Sequence, residues 1–195
     1  QQKTFVLPPH FSPSVFISVI IPARNEQQNI GACIESVLAQ VYPLGLMEII
    51  VVDDHSYDDT ADVVNEYAEY NVRCLDLAAH LDYEKPTTAF KKAALAAGIA
   101  QAKGELIVTT DADCTAPNAW LMHIAALYEL QQPDMVVAPV IFKSNSSLLQ
   151  VFQLIDFMSM QGITAAAHNM KLGNMSNGAN LAFTKAAYED VGGYE

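Results

Sequence analysis

Apolar runs rich in β-branched residues alternate along this chain with segments of helical periodicity, and no other pattern constrains the fold as strongly. Phe16 to Ile21 predicts a strand ending at Pro22, and Gln27 to Gln40 a helix with Ile30, Cys33, Ile34, Val37 and Leu38 at helical spacing. Glu48 to Val52 reads as a second buried strand. Thr60 to Tyr70 reads as a helix with Asp58 or Asp59 as N-cap, and Val72 to Leu77 as a third strand. Thr88 to Ala102 is an Ala-rich helix that ends before Gly104, and Glu105 to Thr110 is a fourth strand. Pro117 leads a helix over Asn118 to Leu130, and Met135 to Phe142 is a further strand. Such alternation implies parallel strands joined by right-handed crossovers, with helices on both faces. Leu149, Phe152, Ile155 and Met160 or Ser159 predict a core-facing helix over Leu148 to Ile163.

At 195 residues the chain suits one α/β domain, with no repeat, low-complexity tract or linker to divide it. Its 10 basic and 22 acidic residues give a net charge of −12, which argues against nucleic acid as a partner. The three cysteines, Cys33, Cys74 and Cys114, lie far apart with no Cys-x-x-Cys pair, so a reducing compartment and no zinc site are expected. Gln1 to Pro13 lacks the long apolar core of a signal peptide. Gln150, Gln153, Asp156 and Gln161 interrupt the most hydrophobic stretch, Leu148 to Ala167, and argue against a membrane span.

In a parallel α/β sheet, ligands bind beyond the carboxyl ends of the strands. That rule gathers Pro22-Ala23-Arg24-Asn25-Glu26, Asp53-Asp54-His55-Ser56 and Asp111-Ala112-Asp113 into one crevice. Asp111 and Asp113 stand two apart at the end of the run Leu106 to Thr110, so on extended backbone they point the same way. Two such carboxylates suit a hard cation, Mg²⁺ or Mn²⁺, that completes its shell with substrate phosphates. A bound cation would also offset the acidity that otherwise repels an anionic substrate. Each motif also has a plainer reading. Asp53-Asp54 and Asn177 to Asn180 could be turns, Arg24 and Glu26 a surface ion pair, and His55 a loop-packing residue. His10, His80, His123 and His168 form no cluster.

Ser18 to Glu26, Val51 to Ser56 with Asp59-Thr60, Thr110 to Asp113, Asn177 to Phe183 and Val191 to Tyr194 together resemble an inverting family 2 glycosyltransferase of the GT-A fold, a Rossmann-like sheet with helices on both faces. The match runs in the family's order over almost the whole chain. It implies a nucleotide-diphosphosugar donor, usually a UDP-sugar, and a carbohydrate or lipid-linked acceptor. On that resemblance Pro22, Ala23, Arg24, Asn25, Glu26 and Asp54 hold the uridine, with Asp54 accepting from the uracil N–H. Asp111 lies near the ribose and joins Asp113 as a metal ligand, Asp113 being the catalytic ligand of the cation that bridges the phosphates. Ser56, Ala112, Gly178 and Asn180 complete the donor-binding set. Lys91 matches a lysine common in the family, with Lys92 as its rival; Phe90 and Ala96 stand where the family commonly has glycine and asparagine.

The family's general base lies beyond the Gly-Gly-Tyr element, and the chain ends at Glu195. The resemblance therefore implies a domain cut from a longer, membrane-associated protein at the cytoplasmic face of a membrane. Within the chain, Glu195, Asp190 and Glu189 are the acids left to consider as base. Two other readings stand beside the transferase. One is a non-catalytic sugar-nucleotide-binding module. The other is a haloacid-dehalogenase-type phosphatase, whose Asp-x-Asp-x-Thr pattern Asp111 to Thr115 also fits, although that motif usually lies on a first strand.

Overall fold

The computed structural model describes residues 5–80, 89–141, 147–169 and 178–194. Twelve elements follow one another: β1 (Ile17–Ala23), α1 (Ile30–Leu38), β2 (Met47–Asp53), α2 (Thr60–Asn65), β3 (Val72–Asp76), α3 (Phe90–Gln101), β4 (Leu106–Thr109), α4 (Trp120–Gln131), β5 (Met135–Val137), α5 (Leu148–Asn169), β6 (Leu181–Thr184) and α6 (Lys185–Asp190). The strands form one six-stranded sheet in the order β3-β2-β1-β4-β6-β5.

β1 pairs in parallel with both β2 and β4, and β2 with β3, as the alternation predicts. Buried on both faces, β1, β2 and β4 read as largely apolar runs, whereas β3, at the sheet edge, is half-buried after Val72. Val19, Ile21, Ile49, Val51 and Val108 pack with Ile30, Ile34 and Val37 of α1, Val64 of α2 and Leu121 and Ala125 of α4. Ile20, Ile50, Val52 and Ile107 face the other way, onto Ala94, Leu95 and Ile99 of α3. Removing each such Val, Leu or Ile side chain from water contributes about 1.5–3 kcal/mol. Gly98 lets α3 approach β1, because a Cβ there would lie 2.6 Å from Ile20 Cγ2.

Four expectations are corrected. β6 enters between β4 and β5 and runs antiparallel to both, so the sheet is mixed rather than parallel throughout. β5 stops at Val137, and Phe142 lies outside the described residues. The helix after β2 ends at Asn65, and a 3₁₀ turn at Ala68–Tyr70 leads to Asn71 at φ 61°, whose side chain donates to the Met47 carbonyl at 2.7 Å. The helix over Leu148 forms and extends to Asn169, yet Leu149, Phe152, Ile155, Met158, Met160 and Ile163 are exposed. Gln161 ties it to the segment that follows β5, donating to the Val140 carbonyl (2.7 Å) and accepting from the Val140 N–H (2.9 Å). Among the described residues no helix is long and apolar enough to cross a membrane.

At the amino end of the sheet lies a buried polar cluster. Glu48 accepts from Ser18 Oγ (2.7 Å), the Lys103 N–H (2.7 Å) and Arg73 Nη2 (3.0 Å). Gly104 donates to Ser18 Oγ at 2.8 Å, and a Cβ on it would meet Ser18 N at 2.6 Å. These bonds fix the start of β4 against β1 and so set where β4 delivers its carboxyl end.

Candidate functional site

The carboxyl ends of β1, β2 and β4 meet at a crevice of about 250 Å³ lined by Pro22, Ala23, Arg24, Glu26, Asp54, Lys91, Ala94, Asp111, Ala112 and Asp113. The backbone makes this convergence: Asp54 N donates to the Ala23 carbonyl (2.8 Å) and Thr110 N to the Ile20 carbonyl (3.3 Å). The turn after β4 closes with Cys114 N on the Asp111 carbonyl at 3.0 Å. The Cys33 thiol reaches the same carbonyl at 3.6 Å. Burial, with the nearby Cys114, Asp113, Asp111 and Glu26, pushes that thiol up to about 12, so it stays neutral and serves packing rather than chemistry.

Charges in the crevice are arranged in pairs. Lys91 Nζ lies 2.6 Å from Asp111 Oδ1, which distinguishes it from Lys92, a residue that lines a different cavity. Arg24 stands 3.7 Å from Asp54 Oδ2, and His55 Nδ1 lies 2.8 Å from Asp54 Oδ1. Arg24 thus faces Asp54 rather than forming the surface pair with Glu26, whose carboxylate accepts from Asn29 Nδ2 at 2.8 Å. Asp113 is met by the Cys114 thiol at 3.7 Å. Behind the loop, Asp53 keeps a buried Oδ1 with no hydrogen-bond partner.

Four residues of the expected set do not line the crevice. Asn25, at φ 55°, binds the Tyr57 N–H through its Oδ1 (3.0 Å), while its own N–H donates to Ser56 Oγ (2.9 Å). Asn25 and Ser56 therefore lock the β1 and β2 loops together. Gly178 accepts from Thr109 Oγ1 at 2.6 Å. Asn180 uses both ends of its carboxamide, accepting from Trp120 Nε1 (2.8 Å) and donating to the Pro139 carbonyl (2.8 Å). Asn177 and Glu195 lie outside the described residues. Of the N-cap candidates, Asp59 makes no side-chain cap bond, whereas Asp58 accepts from the N–H groups of Thr60 and Gln27. Ala94 lines the crevice with no signal in the sequence, because a methyl group carries no chemistry to read.

A second, larger cavity of about 610 Å³ lies across α3, lined by Lys92, Tyr188, Glu189 and Tyr194 among others. It lacks the strand-end carboxylates, so the smaller crevice is the candidate site despite its size. The donor set there is of the kind a hard divalent cation takes: Asp111 and Asp113 offer carboxylate oxygens, with Asp111 Oδ1 already engaged by Lys91 Nζ. Among the described residues no three His, Cys, Asp or Glu side chains form a closed cage.

This mixed six-stranded sheet has the GT-A fold of glycosyltransferases, and solved glycosyltransferases of that fold superpose on it. The chain belongs to glycosyltransferase family 2, whose sequence model, Glycosyl transferase family 2, matches residues 18–187. Glycosyltransferase AglE of Haloferax volcanii is 28% identical over 177 residues, covering 91% of this chain and 55% of AglE. The structure of S. aureus TarS 1-349 in complex with UDP-GlcNAc matches 68% of this chain and 36% of its own at 25% identity, with a TM-score of 0.55. Mannosyltransferase PcManGT from Pyrobaculum calidifontis, in complex with GDP-Man and Mn²⁺, covers 100% of this chain with 51% of its own, at 22% identity and a TM-score of 0.69. The chain thus spans about half the length of AglE. The family match sets aside the phosphatase reading of Asp111 to Thr115.

Proposed function

We propose that the crevice binds a nucleotide diphosphosugar, a UDP-sugar first among them, together with Mg²⁺ or Mn²⁺. The protein to which this chain belongs then transfers the sugar with inversion to a hydroxyl of a carbohydrate or lipid-linked acceptor. The observation that carries this reading is the meeting of Asp54, Asp111 and Asp113, delivered by two strands, with Arg24 and Lys91 in one crevice. The complexes of TarS with UDP-GlcNAc and of PcManGT with GDP-Man and Mn²⁺ support it.

In this reading Asp54 accepts from the base and Lys91 supplies a fixed positive charge beside the phosphates. Asp111 and Asp113 would hold the cation, which would supply Lewis-acid stabilisation of the negative charge on the departing diphosphate. Pro22, Ala23 and Ala112 bring backbone and small side chains against the nucleotide, excluding water from it. The attacking hydroxyl gives up its proton to a base on the face opposite the leaving group. We place this chemistry in the cytoplasm, a setting that the free thiols of Cys33, Cys74 and Cys114 suit.

Base choice tests the assignment. Uracil presents a ring N–H to Asp54, whereas cytosine presents a ring acceptor, and a mismatched polar group costs about 1–3 kcal/mol. Competition calorimetry should rank UDP above CDP by about tenfold or more, with the preference lost in Asp54→Ala. Equal binding of UDP and CDP, or an Asp54→Ala variant that holds UDP unchanged, would overturn it.

A further inference from the structure

His55 follows β2 at φ 57°, in the left-handed region where a residue with a Cβ is strained. Strain of this kind persists only where the surroundings over-determine it, and it gathers at functional sites. The ring is 42% exposed and makes two contacts, one of them with the likewise exposed Phe90. Nδ1 lies 2.8 Å from Asp54 Oδ1, and Phe90 meets the imidazole edge-on, with centroids 5.9 Å apart and planes at 79°. A carboxylate only accepts, so the shared proton is assigned to Nδ1.

Asp54 itself is 7% exposed yet lines the crevice. Its Oδ1 takes the imidazole and its Oδ2 faces Arg24 at 3.7 Å, too long for a hydrogen bond. The carboxylate is therefore oriented by one short bond and keeps acceptor capacity toward the crevice. Phe90 opens α3, and the next residue, Lys91, reaches Asp111 across the same crevice. One turn of helix thus fixes both the imidazole behind Asp54 and the ammonium on Asp111.

We infer that His55 is a positioning residue, which orients the Asp54 carboxylate for the nucleobase while Phe90 holds the imidazole in place. The inference rests on the proposed role of Asp54 and extends it to two residues that do not line the crevice.

Substitution by glycine isolates the side chain, since Gly takes φ 57° without strain. His55→Gly should keep or raise the melting temperature while weakening UDP about tenfold and shrinking the UDP over CDP preference. Opposite movements of stability and affinity are what a merely structural histidine would not give. His55→Asn, which tolerates the left-handed backbone and offers an Nδ2 donor, should recover part of the affinity. Phe90→Ala should weaken UDP in the parent and add nothing to His55→Gly, the sign of a shared effect in a double-mutant cycle. Parental UDP affinity and base preference in His55→Gly, beside a clear loss in Asp54→Ala, would overturn this inference alone. An Asp54→Ala variant that binds UDP normally would overturn the underlying assignment and the inference with it.

Discussion

Glu48 carries its charge on a side chain fully removed from solvent, with Arg73, one-third exposed, as its ionic partner. Burial pushes the carboxyl up, but hydrogen bonds from Lys103 N–H, Ser18 and Arg73, with the charge of Arg73, outweigh it and hold the group below its ordinary range. A depressed carboxyl stabilises the fold fully above its unfolded pKa of about 4.3, and the contribution is lost as pH falls through the lower folded value. Denaturation as a function of pH should therefore show the parent losing stability through that acid window. Glu48→Gln should be weaker at neutral pH, by up to about 3 kcal/mol, and should lack that slope. An acid slope that survives the substitution would assign it elsewhere. At this scale the sequence was legible where chemistry and position coincide: Asp54, Asp111 and Asp113 are acids at ends of apolar runs, and strand ends in such sheets meet. It was less legible at Ser56 and Asn180, because short polar side chains serve loops as readily as ligands. The partnership of Glu48 with Ser18 was hidden because it joins residues on different strands.

Hydrophobic period identified the parallel strands β1 to β4 and their helices, since a doubly buried strand must be apolar throughout. Direction left no such mark, and the segment that forms β6 entered only through the motif Asn177 to Phe183, with nothing to show it as the antiparallel insertion between β4 and β5. α5 shows the converse limit. A spacing that normally marks a core face here marks a side exposed among the described residues, while its attachment runs through a glutamine. Gln161 satisfies both the N–H and the carbonyl of Val140, which lies just past the end of β5. One such bond contributes about 1 kcal/mol. Gln161→Ala should therefore speed hydrogen exchange at the Val140 amide several-fold and leave β1 and β2 amides unchanged. Unchanged exchange at Val140 would show that α5 is held to the sheet edge by other contacts.

The whole molecule carries a net charge of −12, and its candidate crevice collects Glu26, Asp54, Asp111 and Asp113 against Arg24 and Lys91. Such a surface repels a diphosphate unless further positive charge enters with it. The fold supplies the place: three strands end side by side, and acids that follow all three share one opening. On the proposed function, a cation is a condition for nucleotide binding rather than an accessory to catalysis. Calorimetric titration of UDP into the protein with and without Mn²⁺, repeated on Asp113→Asn, tests that claim directly. The account predicts UDP affinity at least about tenfold higher with Mn²⁺, near 1.4 kcal/mol, and no gain from Mn²⁺ in the variant. Equal affinity in all cases would contradict it.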